Sequence, residues 1–198
     1  GYITAFSLPY TYENIVYSLP SGGVSKPYRS KNGWLIFKKT GERKSAGKWK
    51  VAQILFSYPP DPDETVKASI GKLADSVRSL LRNGANFSDM ARQFSNDKLT
   101  YLNGGELPEF STGKFDDAFE SQVFGLTANG DISEPFSTSF GVHIIKRLQH
   151  TETPTDPNDN SFQYELNQKI LGDPRVSVAK DKFAHDIRTK IGFKKLAN

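Results

Sequence analysis

The run WKVAQILFSY (residues 49–58) sets Val51, Gln53 and Leu55 against Ala52, Ile54 and Phe56, and this period of two predicts a β-strand. YPPDPDE then breaks the pattern. Over residues 63–84, Ile70, Leu73, Ala74, Val77, Leu80 and Leu81 fall on one helical face. Acidic residues open that stretch and Asn-Gly closes it, which predicts a helix with a left-handed stop. A shorter helix is expected over residues 86–95, with Phe87, Met90, Ala91 and Phe94 inward. NDKLTYLNGGELPEF (residues 96–110) reads as a polar loop with a double glycine. Phe115, Phe119 and Val123 recur every four residues and predict one more helix. The β-rich run VHIIKR follows a glycine. The order is β-α-α-loop-α-β-β over residues 49–149.

Part of this pattern occurs twice. Residues 11–39 align with residues 118–147 with a one-residue gap, sharing Gly22/Gly130, Ser25/Ser133, Pro27/Pro135, Gly33/Gly141, Ile36/Ile144 and Lys38/Lys146. The copies differ in chemistry: Leu35 stands where the second has His143, and Tyr12 where it has Phe119. Two related domains are therefore expected. Residues 1–43 are the C-terminal half of a first domain, and residues 48–150 a complete second one. A polar, Pro-containing linker (residues 150–161) leads to a C-terminal helical segment, residues 160–198. Phe162, Leu166 and Ile170 mark one amphipathic face there; Ala179, Phe183, Ile187 and Ile191 mark another, and both need burial.

Composition narrows the chemistry. The 198 residues are 36% hydrophobic and 24% charged, ordinary for a globular chain with a real core. The absence of cysteine excludes disulfides, thiolate-ligated zinc and thiol catalysis, and fits an oxidising compartment. His143, His150 and His185 lie far apart without metal spacing, so no metal and no small-molecule cofactor are expected. The net charge of +4 is well mixed, without a basic stripe interleaved with aromatics, so nucleic acid is not an expected partner. KSAGKWK (residues 44–50) and KKLAN (residues 194–198) read as a solvated linker and a frayed end. No apolar stretch reaches the ~18 residues of a membrane span. No secretion signal is visible, and the abrupt opening GYITAF reads as that of an excised or processed piece.

AQILFS, ANFSDMARQFSND, NGGELPEF, FESQVFGL and ISEPFSTSFGVHIIKR follow one another in the order and spacing of the parvulin-type peptidyl-prolyl cis-trans isomerases, through residues 49–149. With its partial first copy and trailing helices, the chain resembles the tandem-domain bacterial foldases and chaperones of the SurA and PrsA kind. The resemblance implies an α+β fold: a four-stranded antiparallel sheet wrapped by helices, preceded by the partial copy and followed by the helical segment. It implies a cleft for a Xaa-Pro segment and a place in the periplasm or cell envelope. Partners would be unfolded or partly folded exported polypeptides. Self-association through the incomplete first domain, or its packing on the helices of residues 160–192, is also expected, because an open sheet edge invites pairing.

By the same resemblance Asp97 lies beside the substrate carbonyl, and His143 sits in a hydrogen-bond network beneath the cleft. Gln53 stands where the family commonly has a histidine paired with the His143 position. Gln can donate and accept at once, yet cannot titrate. Leu107, Phe115, Phe119 and Phe124 would wall the proline pocket; core packing is the plainer alternative, above all for Phe124. Phe140, at a position often small and polar in the family, is placed in the substrate site. The expected activity is prolyl isomerisation in the folding of exported proteins. The competing function is a clamp-like chaperone with little catalysis, and a third is a structural module whose helices dock a partner. The acidic, Pro-rich SYPPDPDE loop argues against selection of phosphorylated substrates.

Overall fold

The computed structural model describes residues 1–191. KKLAN and the rest of the chain after position 191 lie outside the described residues. The elements are α1 (Tyr10–Ser18), β1 (Tyr28–Ser30), β2 (Gly33–Leu35), β3 (Lys48–Ser57), α2 (Glu64–Arg82), α3 (Phe87–Phe94), a 3₁₀ turn (Tyr101–Asn103), α4 (Asp117–Phe124), β4 (Phe136–Thr138), β5 (Gly141–Thr151), α5 (Asn160–Leu171) and α6 (Arg175–Lys190). They fall into two compact units. One comprises Lys44–Thr153 with Gly1–Tyr2; the other comprises Ile3–Arg43 with the described chain from Pro154 onward.

The first of these units carries the complete pattern. β3, β5 and β4 form an antiparallel sheet in that order. The alternation along β3 is used on both faces. Ala52, Ile54 and Phe56 join Val142 and Ile144 of β5 in a core closed by Ala74, Val77 and Leu81 of α2 and Phe87 and Ala91 of α3. Val51 and Ile145 face a second core with Trp49, Leu107, Phe110, Phe119 and Val123. Each helix begins on a side-chain cap: Asp63 accepts from the Val66 N–H, Asn86 from Asp89 and Asp116 from Phe119. α2 ends as its Asn-Gly forecasts, with Gly84 at φ 93° and the Ala85 N–H returning to the Leu80 carbonyl.

The fourth strand is not a strand. Two short segments share the outer edge of β3 instead. At one end the Asn96 N–H bonds to the Leu55 carbonyl at 2.7 Å and the Ser95 hydroxyl accepts from the Leu55 N–H at 3.1 Å. At the other, the Gly105–Phe110 segment makes isolated bridges, Ala52 to Glu106 and Trp49 to Phe110. Pro108 has no N–H to extend this ladder, and β3 itself shifts register between Lys50 and Val51. Gly105, at φ 84°, approaches so closely that a Cβ there would lie 2.1 Å from the Gln53 carbonyl oxygen. The expected four-stranded sheet is therefore three strands and a divided edge.

The other unit contains a β1–β2 hairpin and α1. Tyr12 of α1 packs on Tyr28 and Phe37, with ring centroids 5.7 and 5.6 Å apart. The buried Glu13 accepts from the Leu8 N–H at 3.2 Å and from Arg175 of α6 at 2.9 Å. The Arg175 guanidinium also binds Asp173 and lies 4.0 Å from the Phe6 ring centroid. Glu120 is the corresponding buried carboxylate of the complete copy, and there it accepts from three backbone N–H groups, of Gly113, Lys114 and Phe115. Phe162, Leu166 and Ile170 are half-buried. The expected inward face of α6 is not covered: Ala179, Phe183, Ile187 and Ile191 are all exposed, and among the apolar residues of α6 Val176 and Ala184 are the half-buried ones.

Candidate active site

Three backbone features bring Gln53, Asp97 and His143 together. Gln53 and His143 point to the same face of the sheet, on neighbouring strands, because Leu55 pairs with His143 and Gln53 with Ile145. Asp97 arrives by a different route: Ser95 and Asn96 are bonded to the edge of β3, which sets the next residue beside Gln53. The Ser57 N–H to Asn96 Oδ1 bond, 3.0 Å, fixes the same segment further along.

The side chains form one directed chain of hydrogen bonds. A carboxylate can only accept, so the Gln53 amide nitrogen faces Asp97 and donates to Oδ2 at 2.8 Å. That leaves Gln53 Oε1 toward His143, which donates from Nδ1 at 3.3 Å. His143 Nε2 then accepts from the Thr138 hydroxyl at 2.8 Å, and Thr138 in turn accepts from the Phe140 N–H at 3.1 Å. At the other end Asp97 accepts from the Thr100 hydroxyl on Oδ2 and from the Leu99 N–H, 3.1 Å, on Oδ1. Every bond is satisfied with a neutral imidazole protonated on Nδ1.

The electrostatics agree with that assignment. Burial drives the His143 pKa down to about 4, against the opposing pull of the Asp116 and Asp97 carboxylates. Asp97 is half-buried, which alone would disfavour its charge. The bonds from Thr100, Gln53 and the Leu99 N–H outweigh this and hold its pKa below the ordinary value. At neutral pH the cluster carries one negative charge, on Asp97, and no adjacent positive charge on His143.

An aromatic wall adjoins His143. Phe136 stacks on the imidazole with centroids 5.4 Å apart, and Phe119 meets it edge-on at 5.5 Å. Phe115 lies 4.6 Å from Phe119 and 4.7 Å from Phe110. Leu107 is buried in the same cluster. Phe124 packs on Trp49, 5.4 Å away. Phe140 is 66% exposed at the β4–β5 turn. The structure thus gathers Gln53, Asp97, His143, Leu107, Phe115 and Phe119; Phe124 packs against the same apolar cluster on its Trp49 side, and the Phe140 side chain stands apart.

Four neighbours escaped sequence reasoning: Phe136, Phe110, Thr100 and Thr138. The alternation Phe136-Ser137-Thr138 directly before the turn into GVH was a usable signal, since a tight hairpin places Phe136 opposite His143. Thr100 carried no such signal, because its role depends on a loop path. A groove of about 710 Å³ lies on the α2 side of the sheet, lined by Tyr58, Glu64, Lys67, Asp75 and Val142. It meets the cluster only through Thr138, and its lining includes the charged side chains of Glu64, Lys67 and Asp75.

Comparison with known proteins places these features in a family. The chain is 45% identical over 73 residues to foldase protein PrsA 2 of Listeria innocua, covering 37% of this chain and 25% of that protein. It is 31% identical over 179 residues to chaperone SurA of Pseudomonas aeruginosa, covering 86% of this chain and 40% of that one. Among solved structures, peptidylprolyl isomerase PrsA from Bacillus anthracis aligns with a TM-score of 0.47 at 27% identity, covering 78% of this chain and 63% of that one. The chain thus spans 25% to 40% of the length of these two curated relatives. Residues 34–151 match the model of the PPIC-type PPIase domain, and the chain belongs to that family of parvulin-type peptidyl-prolyl cis-trans isomerases.

Proposed function

We propose that Lys44–Thr153 catalyses cis-trans isomerisation of Xaa-Pro bonds in unfolded or partly folded exported polypeptides, in the periplasm or cell envelope. The observation that carries this reading is the Asp97 carboxylate, held ionised by neutral donors and linked through Gln53 to His143, on which Phe136 and Phe119 pack. The amide resists rotation by ~18–20 kcal/mol because of its resonance. In the planar forms the carbonyl oxygen bears partial negative charge; in the twisted form the nitrogen recovers its lone pair and the oxygen loses that charge. A fixed anion near the oxygen raises the planar states more than the twisted one, which lowers the barrier without covalent chemistry. Leu107, Phe115, Phe119 and Phe136 supply an apolar seat for the ring and keep water from the carbonyl.

Gln53 favours a second reading, a chaperone clamp with little catalysis, since it replaces a titratable partner of His143 with an amide. Yet it keeps both hydrogen bonds, to Asp97 and to His143. The two readings separate by exchange spectroscopy on an unphosphorylated aromatic-Pro peptide with catalytic amounts of the full chain. Faster cis-trans exchange supports the isomerase; line broadening from binding with no gain in exchange supports the clamp.

A further inference from the structure

Ser137 and Val142 face each other across the β4–β5 hairpin, as Arg29 and Trp34 do across β1–β2. The first copy fills this pair of positions itself: the Arg29 guanidinium lies 6.0 Å from the Trp34 ring centroid. The complete copy holds two shorter side chains there and supplies no cation of its own. Beside them opens the groove of about 710 Å³ on the α2 side of the sheet, lined by Tyr58, Glu64, Lys67, Gly71, Asp75 and Ser137.

Backbone, room and charge in this groove all favour an extended chain that brings a cation. β4 is the last strand of its sheet, and among the described residues no strand pairs with its outer edge. Thr138 and Gly141 flank a two-residue turn and close the hairpin. By the alternation of an antiparallel ladder, Ser137 then turns its N–H and carbonyl to the free edge. Opposite it, Gly71 interrupts α2, and no atom lies within 4 Å of the point that a Cβ would occupy. Glycine weakens a helix interior, but it lets another chain approach closely. The Tyr58 hydroxyl donates to the Ser137 hydroxyl at 3.2 Å, which holds the ring at the groove. Lys67 is tied to Glu64 at 2.7 Å. The Asp75 carboxylate forms no ion pair among the described residues and is the unmatched charge of the groove.

We infer that this groove is a second client subsite, which seats one lysine or arginine of the same polypeptide whose Xaa-Pro bond lies at the Asp97–His143 network. The client segment pairs with Ser137 as an added strand on β4. Its cationic side chain runs past Tyr58 and Gly71 with its head at Asp75, replacing the arginine that the first copy carries at position 29. The two sites are continuous through Thr138, which lines the groove while its hydroxyl bonds to His143. An extended chain advances about 3.3 Å per residue. A client with its proline beside Phe119 and Phe136 therefore reaches Asp75 with a residue about three to five positions away. The inference rests on the proposed function only in naming the occupant as the client.

The test uses the full chain and two unphosphorylated aromatic-Pro peptides. One carries lysines about three to five residues from the proline on both sides, and the other carries glutamates at the same positions. Affinity is measured by titration calorimetry at low salt, and the bound region by amide chemical shifts. The lysine peptide is expected to bind about tenfold tighter and to shift the Gly71 and Ser137 amides. Asp75→Lys, an exposed change, should reduce that preference to about twofold or less. Gly71→Leu fills the groove and should weaken the lysine peptide about tenfold. Equal binding of the two peptides overturns the inference. So does a preference that survives Asp75→Lys, or shifts that leave Gly71 and Ser137 unmoved. Exchange spectroscopy on the same samples separates this subsite from the isomerase reading. A lysine preference without faster cis-trans exchange supports the subsite and contradicts the isomerase; faster exchange with equal binding does the reverse.

Discussion

Asp97 and His143 divide the electrostatic work between them. Asp97 keeps its charge because three neutral groups donate to it, and His143 stays neutral because the sheet and Phe119 and Phe136 bury it. With His143 titrating at about 4, kcat/KM is expected to be flat between about pH 6 and pH 8; an inflection near the ordinary histidine value of about 6.5 would show a protonated imidazole at work. The same shift has a consequence for stability. The unfolded chain binds the histidine proton at higher pH than the folded one. The contribution is therefore full above about pH 6.5 and is lost as pH falls toward about 4, amounting to about 3 kcal/mol. Urea titrations at pH 4.5 and pH 7 should show that loss in the wild type and less of it in His143→Leu, which restores the residue of the first copy. Asp97 and His143 were legible in the sequence because five ordered blocks surround them. The bond between Gln53 and Asp97 was not, since it depends on how Ser95 and Asn96 grip the edge of β3.

At the scale of elements, each copy places a glutamate early in its helix and buries it, but the two satisfy it differently. Glu120 ties α4 to the loop before it through three N–H groups. Glu13 uses one N–H and borrows Arg175 from α6. Removing Arg175 strands a carboxylate that is 3% exposed. Arg175→Ala is expected to destabilise the unit holding Glu13 by about 3 kcal/mol. Amide exchange in α1 should speed up while β3 and β5 stay protected; unchanged exchange in α1 would show that the pair contributes nothing. Glu120→Ala should cost the complete copy about 2 kcal/mol in urea unfolding. Periodicity located α2, α3, α4 and β3, whereas α1 followed only from the repeat and β5 from its β-rich composition. It failed at Gly105–Phe110 because backbone conformation, not side-chain pattern, decides whether an edge becomes a ladder: Gly105 sits at φ 84° and Pro108 lacks a donor. It also failed at α6, where the apolar positions 183 and 191 remain exposed.

At the scale of the molecule, two hairpins of matching register share a chain, and only the second carries a histidine. Leu35 stands in place of His143 and Tyr12 in place of Phe119, and Tyr12 packs on Tyr28 of the first hairpin. Clients are expected to be unphosphorylated. Asp61 and Asp63 between β3 and α2, with Glu64 at the start of α2, oppose a phosphate, so a phosphorylated Ser-Pro peptide should bind no tighter than its plain counterpart by titration calorimetry. The central claim is that the Asp97 charge, held in a neutral network, drives the isomerisation. It is tested most directly by Asp97→Asn, which keeps the shape and removes the charge. Exchange spectroscopy on an aromatic-Pro peptide should then show the catalysed rate reduced at least about tenfold with peptide affinity little changed. A wild-type rate in Asp97→Asn would contradict the account.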